Sequence, residues 1–294
     1  MDKTLTVIIP AYNEEQGIQD TLTNLIEGVK NYPFDILVIN DGSTDTTEAV
    51  LRTIDEVRVI NHKKNRGYGA SLKTGILAAK SELIAFYDAD GQHSVSDLIA
   101  MYKNFVDIDM LVGARSQDSH QELKRKPGKW ILGKIANYLT EQNIPDLNSG
   151  LRIINRDIIR KYLHLFPNGF SFSTTSTIAF MNLGYSVEYF PIKVAKRIGK
   201  SSVKQIKHGS NTILLMIRLI VLFNPLRIFL PSSAFFLVVG LIYELYYGVF
   251  LLFPEVRLIP AAFFLIITSV LIFFFGLVVD QISEIRKNFF DREE

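Results

Sequence analysis

The chain has 294 residues and not one cysteine. That absence excludes disulfides, thiolate-ligated zinc and a thiol nucleophile. Tryptophan is almost as scarce, with Trp130 alone. Charge of either sign has little excess: 32 Lys and Arg stand against 30 Asp and Glu, for a formal net charge of +2. Nothing global therefore favours nucleic acid. No secretory signal peptide is expected at Met1-Asp2-Lys3-Thr4, which leads straight into a strand-like run. The full Gly-x-x-x-x-Gly-Lys-Ser/Thr phosphate loop is missing. Gly67-Tyr68-Gly69-Ala70-Ser71-Leu72 leaves the Gly-x-Gly-x-x-Gly dinucleotide fingerprint incomplete. Acidic residues vanish altogether between Glu188 and Glu244.

Long apolar runs are present. Ser232 to Phe253 and Leu258 to Val279 hold 22 residues each, and at about 1.5 Å per residue each spans a hydrocarbon core of about 30 Å. The link Pro254-Glu255-Val256-Arg257 is short enough for a tight helical hairpin, whose ends share one side. Arg218 and Arg227 precede it; Arg286, Lys287 and Arg292 follow. This basic bias predicts a multi-pass protein of the cell membrane with both termini and the soluble part in the cytoplasm. A hairpin buried in a soluble core is the alternative. Glu244 falls inside the first span, where a carboxylate is costly and faces protein or water.

The acid-free stretch carries Lys193, Lys196, Arg197, Lys200, Lys204, Lys207, Arg218 and Arg227. Over Val203 to Leu222 such charges mix with apolar residues, as in a helix lying at a membrane interface. Pro225 and Pro231 are expected to break the chain before the first span. The expected divisions are a catalytic domain over 1–200, a juxtamembrane segment over 201–231, a hairpin over 232–280 and a tail over 281–294.

Before residue 200, strand-like and helical runs alternate. Strands are expected at Leu5–Pro10, Phe34–Asn40, Val57–Asn61, Leu83–Asp88 and Met110–Gly113. Helices are expected at Glu14–Asn31, Thr44–Ile54 with Ser43 or Thr44 as cap, Gly69–Lys80 and Ser96–Phe105. The alternation predicts an α/β fold, a mostly parallel sheet with helices on both faces. Ligands of such sheets bind at the carboxyl ends of the strands.

At one such end the apolar run Leu83-Ile84-Ala85-Phe86-Tyr87 meets Asp88-Ala89-Asp90-Gly91-Gln92-His93. In an extended chain residues i and i+2 point the same way, so Asp88, Asp90 and Gln92 can face one point. Hard oxygen donors there suit Mg²⁺ or Mn²⁺, which keep positions for waters and substrate phosphates. The plainer reading is an Asp-rich turn closing a strand. Arg66, just before the glycine pair, could reach a phosphate.

Taken together, the chain resembles family 2 glycosyltransferases of the GT-A fold. The residues that carry the likeness are Val7 to Glu14, Val38 to Asp45, Asn65 to Ala70 and Asp88 to His93, in matching order and spacing. A narrower likeness is to polyprenyl-phosphate hexosyltransferases, the dolichyl-phosphate mannose synthases and bacterial GtrB-type glucosyltransferases. It rests on Gly113-Ala114-Arg115, Asp146 to Arg152, Arg197 to Ser202 and the apolar hairpin.

The resemblance implies roles. Pro10, Ala11, Tyr12 and Glu14 would line the nucleotide site, and Asp41 would hydrogen-bond the base. Arg66, Gly67 and Ala89 would border the donor. Asp88, Asp90 and Gln92 would hold the metal. Arg115, Lys129, Ser149, Arg197 and Ser201 would face the acceptor phosphate, with Asp146 as residual base or positioning group. Three positions depart from the family pattern: Asn40 stands where a first Asp is usual, and Lys129 and Gly133 where relatives often carry Arg and Ser.

The implied reaction inverts a hexose as it moves from a UDP- or GDP-sugar to undecaprenyl or dolichyl phosphate. The implied partners are that nucleotide sugar, the lipid phosphate and the membrane, with a homo-oligomer allowed and no nucleic acid. Polysaccharide synthases of the same family carry Gln-x-x-Arg-Trp, which is absent around Trp130. A catalytically silent membrane scaffold is the remaining alternative, and the intact Asp88, Asp90 and Gln92 argue against it.

Overall fold

A computed structural model describes residues 3–115, 144–195, 224–247 and 260–291, with isolated positions at 134, 137, 138, 217 and 221. The chain divides into two compact units, Met1–Ile213 and Leu214–Glu294.

In the first unit the strands are β1 (Leu5–Ala11), β2 (Phe34–Asn40), β3 (Arg58–Asn61), β4 (Leu83–Phe86), β5 (Met110–Arg115), β6 (Arg152–Asn155) and β7 (Val187–Ile192). They form one sheet in the order β3-β2-β1-β4-β6-β5-β7. Only β6 runs against its neighbours, antiparallel to both β4 and β5. The expected mostly parallel sheet is thus present, with one reversed strand.

Helices cover both faces. Along β1, Leu5, Val7 and Ile9 join the core built with Ile18, Leu22 and Leu25 of α1 (Ile18–Val29) and Leu98 and Met101 of α4 (Val95–Lys103). Ile8 points the other way, against Gly75 of α3 (Tyr68–Ala78), where a Cβ would collide with it. A strand buried on both sides is apolar at nearly every position, which is why β1 reads as a run and not an alternation; its one polar residue, Thr6, donates to Ser81 Oγ at 2.8 Å. Helix α2 (Thr47–Leu51) is short. Ser43 and Thr44 do not cap it. Ser43 Oγ accepts from Asn13 N at 3.1 Å, and the Asp45 carboxylate takes the Thr47 N–H at 3.0 Å.

Chain order places the site. From β1 the chain moves outward to β2 and β3, then returns to lay β4 on the other side of β1. The loops after β1, β2 and β4 therefore open at one sheet edge, beside the point where strand order reverses.

Sequence patterns gave no sign of β6, α5 (Arg156–Lys161), a 3-10 turn at Leu163–Leu165, α6 (Phe172–Asn182) or β7. Helix α6 has a physical reason. Every residue from Phe172 to Met181 is buried, so Phe-Ser-Thr-Thr-Ser-Thr carries no polar face to betray it. Strand β4 ends at Phe86, two residues early, and Ala89-Asp90 form a turn. Extended-chain parity is therefore not what places Asp90.

The second unit consists of α7 (Leu226–Glu244) and α8 (Pro260–Asp291). Both are long and apolar enough to cross a membrane, over Leu226–Tyr247 and Pro260–Ile285. They pack antiparallel along a seam of small residues. Gly276 lies against Phe229, Gly240 against Ala262 and Leu265, and Ser269 Oγ donates to the Ser233 carbonyl at 2.8 Å. Phe235, Ile242, Phe264 and Leu271 point outward and exposed. Pro231 lies inside α7 and does not end it. Next to it, Ser232 Oγ bonds the Ile228 carbonyl at 2.7 Å, giving a backbone group near the proline a partner. Among the described residues, the first apolar helix already begins at Leu226, ahead of Ser232, and residues 248–259 lie outside them. The Pro254–Arg257 link and nearly all of the Val203–Leu222 segment lie outside the described residues.

Candidate active site

The loops after β1 and β2 are laced together. Asp41 N donates to the Ala11 carbonyl at 2.8 Å, Thr44 N to Asn13 Oδ1 at 2.8 Å and Glu14 N to Thr47 Oγ1 at 3.0 Å. Asn13 can hold this corner because Asn tolerates its φ of 55°. Pro10 and Tyr12 are half-buried beside the fully buried Ala11.

Asp41 is buried, and its carboxylate is already engaged. Oδ1 lies 2.6 Å from His62 Nδ1 and accepts from Arg66 N at 2.9 Å; Oδ2 accepts from Gly67 N at 2.8 Å. His62 Nε2 in turn meets Thr74 Oγ1 at 2.9 Å. Through these bonds Asp41 also pins the turn that opens α3. Sequence reading passed over His62, although it follows β3 at the same sheet edge. That turn is crowded. Gly67 has φ +99° and Gly69 abuts the Pro167–Gly169 backbone, so neither position tolerates a Cβ. Arg66 is exposed.

Tyr68, the next residue, was also passed over. Its hydroxyl donates to Asp88 Oδ1 at 3.1 Å, and its ring stacks on Phe170 with centroids 5.4 Å apart. Burial, then the Asp88 charge, push its pKa well above that of an ordinary phenol. The other Asp88 oxygen lies 3.3 Å from His93 Nε2. Gly150 backs the same carboxylate so closely that any Cβ there would strike it. The Asp88 side chain stays 28% exposed while Asp90 is only 6% exposed, with Oδ1 accepting from Gln92 N at 3.2 Å. Ala89 is buried, its carbonyl accepting from Thr21 Oγ1. Gln92 Nε2 donates to the Ala195 carbonyl at 3.1 Å, and Ala195 N to the Gln92 carbonyl at 3.0 Å.

Two carboxylates and one amide make an oxygen donor set of the kind Mg²⁺ and Mn²⁺ take. Among the described residues no group of three or more His, Asp or Glu closes around a metal position. The donors fit a cation that completes its shell with water and phosphate.

Across the sheet, Arg115 and Asp146 form a two-pronged pair, Nε to Oδ2 at 2.5 Å and Nη2 to Oδ1 at 2.7 Å. Burial alone would raise the Asp146 pKa. The Arg115 guanidinium and the N–H groups of Asn148 and Arg115 outweigh it and hold the carboxyl below its ordinary range. The same pairing raises Arg115, with Asp88 adding to it. Asp146 is therefore a poor proton acceptor and a good orienting partner.

Ser149 is buried, and its hydroxyl finds no partner among the described residues. Its carbonyl accepts from Arg152 Nη2 at 2.6 Å. Arg152 is fully buried. Its Nη1 reaches the Ser173 carbonyl at 2.9 Å and the hydroxyls of Ser176 and Thr177, both at 3.1 Å. Thr174 Oγ1 donates to Asn148 Oδ1 at 2.8 Å. The buried hydroxyls of α6 thus form the floor beneath the Asp146–Gly150 loop. Lys129, Arg197 and Ser201 lie outside the described residues.

Residues 6–163, more than half of the chain, match the model of glycosyl transferase family 2, and residues 224–285 match the GtrB C-terminal hairpin. The uncharacterized protein MJ1222 of Methanocaldococcus jannaschii is 35% identical over 199 residues, 64% of this chain and 79% of that protein. Dolichyl-phosphate beta-glucosyltransferase of Homo sapiens is 34% identical over 220 residues, 66% of each chain, so the match falls just short of two thirds of that enzyme. Among solved structures, glucosyl-3-phosphoglycerate synthase from Mycobacterium tuberculosis in complex with Mn²⁺, uridine diphosphate and phosphoglyceric acid superposes with a TM-score of 0.61. It covers 74% of this chain and 78% of its own at 16% identity, a likeness of fold. The apolar hairpin and its match make the protein membrane-associated. With the sheet, the Asp88–Asp90 loop and both matched regions in agreement, the chain belongs to glycosyl transferase family 2 and carries the GtrB C-terminal hairpin.

Proposed function

We propose that the protein transfers a hexose from a nucleotide diphosphate sugar to a polyprenyl phosphate, inverting the anomeric centre, at the cytoplasmic face of the membrane. The observation that carries this reading is the pairing of two arms at one sheet edge. One arm is the Asp88–Asp90–Gln92 oxygen set after β4; the other is Arg115, held by Asp146 and close enough to feel the Asp88 charge.

The first arm receives the donor. Tyr12, Asp41 and the Arg66-Gly67 turn border the nucleotide, beside Pro10, Ala11 and Glu14. Asp88, Asp90 and Gln92 would hold Mg²⁺ or Mn²⁺, which when bound supplies Lewis-acid stabilisation to the departing diphosphate. The Mn²⁺ and uridine diphosphate in the mycobacterial structure support this use of the fold.

The second arm receives the acceptor. A phosphate monoester has a second pKa near ~6, so at neutral pH the attacking oxygen arrives deprotonated and needs no strong base. The Asp146 pKa agrees, since a carboxyl held low takes up no proton at pH 7. What the reaction needs is a cation to bring two anions together. Arg115, aimed by Asp146, is that cation, joined by Lys129 and Arg197. The Ser149 hydroxyl, without a partner among the described residues, is a donor for the same phosphate. The human relative's name supports a lipid phosphate as acceptor. Basic residues on both flanks of the hairpin support the cytoplasmic side.

The test is transfer by purified protein in lipid nanodiscs, with UDP- and GDP-hexoses, a short polyprenyl phosphate and Mn²⁺. A sugar-lipid product that forms with Mn²⁺ and not with chelator is expected. Asp90→Asn should lower the rate by about a hundredfold or more, as loss of a charge-stabilising group does. Wild-type-like transfer in that variant overturns the cation assignment.

A further inference from the structure

Gln92 does more than offer an oxygen. Its side-chain Nε2 and backbone carbonyl both hold Ala195, at 3.1 and 3.0 Å. The segment it holds has two other fixed points. Ile192 ends β7 in register with Arg115, and Lys193 N donates to Asp97 Oδ2 of α4 at 3.3 Å. Residues 192–195 therefore run from the Arg115 arm to the Asp88–Gln92 arm, and Arg197 follows two positions later in the chain.

An amide is conjugated. A cation on Oε1 draws electron density from nitrogen and makes Nε2–H a stronger donor, so the two ends of one side chain reinforce each other. With Nε2 committed to Ala195, Oε1 is the atom the amide has to offer a metal. We propose that Gln92 is a positioning residue that couples divalent-cation occupancy to the Lys193–Ala195 segment, and through it to binding of the acceptor phosphate. The inference rests on the cation site of the proposed function. Coupling of this kind is reciprocal: the cation must tighten acceptor binding by the factor by which the acceptor tightens the cation.

The experiment uses the full-length protein in nanodiscs with no sugar donor. Mn²⁺ binding is read by electron paramagnetic resonance with UDP present. Backbone amide exchange across residues 192–196 is read by mass spectrometry, with and without Mn²⁺. In the wild type, Mn²⁺ should slow that exchange by about fivefold or more, the lower end of ordinary coupling between sites. Gln92→Glu keeps an oxygen ligand and loses the amide donor. It should bind Mn²⁺ and show no added protection.

Ala195→Pro leaves all three cation ligands in place and removes the backbone donor to Gln92. It should weaken Mn²⁺ by about the same fivefold factor. Being exposed, residue 195 is a mild place for the change, which keeps the test alive if the Glu variant fails to fold. Mn²⁺ binding with unchanged exchange at 192–196 overturns the coupling and leaves the proposed function standing. So does full protection in Gln92→Glu, or unaltered Mn²⁺ affinity in Ala195→Pro. Failure of the wild type to bind Mn²⁺ at all overturns the cation site and the coupling with it.

Discussion

Arg115 and Arg152 stand on adjacent strands and have opposite fates. Arg115 ends β5, is part exposed and shares a carboxylate, so its charge is balanced and its pKa raised. Arg152 opens β6, is wholly buried and is held by carbonyls and hydroxyls, with burial lowering its pKa. Its Nε has no partner among the described residues. A guanidinium at the solvent edge with its orientation locked is equipped to meet a phosphate. One sealed inside can only brace what lies around it. Residue type alone does not separate the two; the partner does.

Removing the inner charge should have the larger effect on the fold. Arg152→Met leaves the Ser149 and Ser173 carbonyls without that donor, and should cost about 3 kcal/mol or more of stability. Thermal melts of the solubilised protein check this, and an unchanged melting temperature would remove the bracing role. Next comes Arg115→Lys. It keeps the charge but loses the planar fork, and a loss of about thirtyfold in kcat/KM for the lipid phosphate is expected, equivalent to about 2 kcal/mol. Stability should hardly move. A variant that melts early yet transfers normally would reverse the contrast between the two arginines.

The smallest effect concerns pH. Asp146 has a folded pKa below its unfolded value. The pair with Arg115 therefore contributes full stability above the ordinary Asp range, near about pH 4. It loses that contribution as pH falls through the depressed folded value. The melting-temperature gap between wild type and Asp146→Asn should be constant from about pH 8 to 5 and shrink as pH falls below about 4. A gap that widens on acidification would mean the carboxyl is raised, not lowered.

How far the sequence could be read depended on what each residue faces. Strands β1, β2 and β4 were legible because most of their length lies in the core as apolar runs, and α1 because one side is wet. Helix α6 was not, since full burial erases periodicity, and β6 is only four residues long with an arginine at its head. At the site, the Asp88 and Asp90 loop stood out by its carboxylates. Tyr68, His62 and Arg152 did not, because their work is done through partners far along the chain. Tyr68 and Arg152 even lay inside segments already singled out. Hydrogen bonds over such distances are written in three dimensions only.

Gly150 shows what this means for reading variants. It contributes no side chain and binds nothing, yet its backbone is the wall against which Asp88 rests. A methyl group there would be felt first by a carboxylate on another strand's loop. Under the proposed function, a genetic screen would score Gly150→Ala as a cation-binding defect and invite a search for a ligand at 150. The defect would belong to spacing alone: the Asp146–Gly150 loop and the Asp88 carboxylate share one boundary, and neither can be moved without the other recording it.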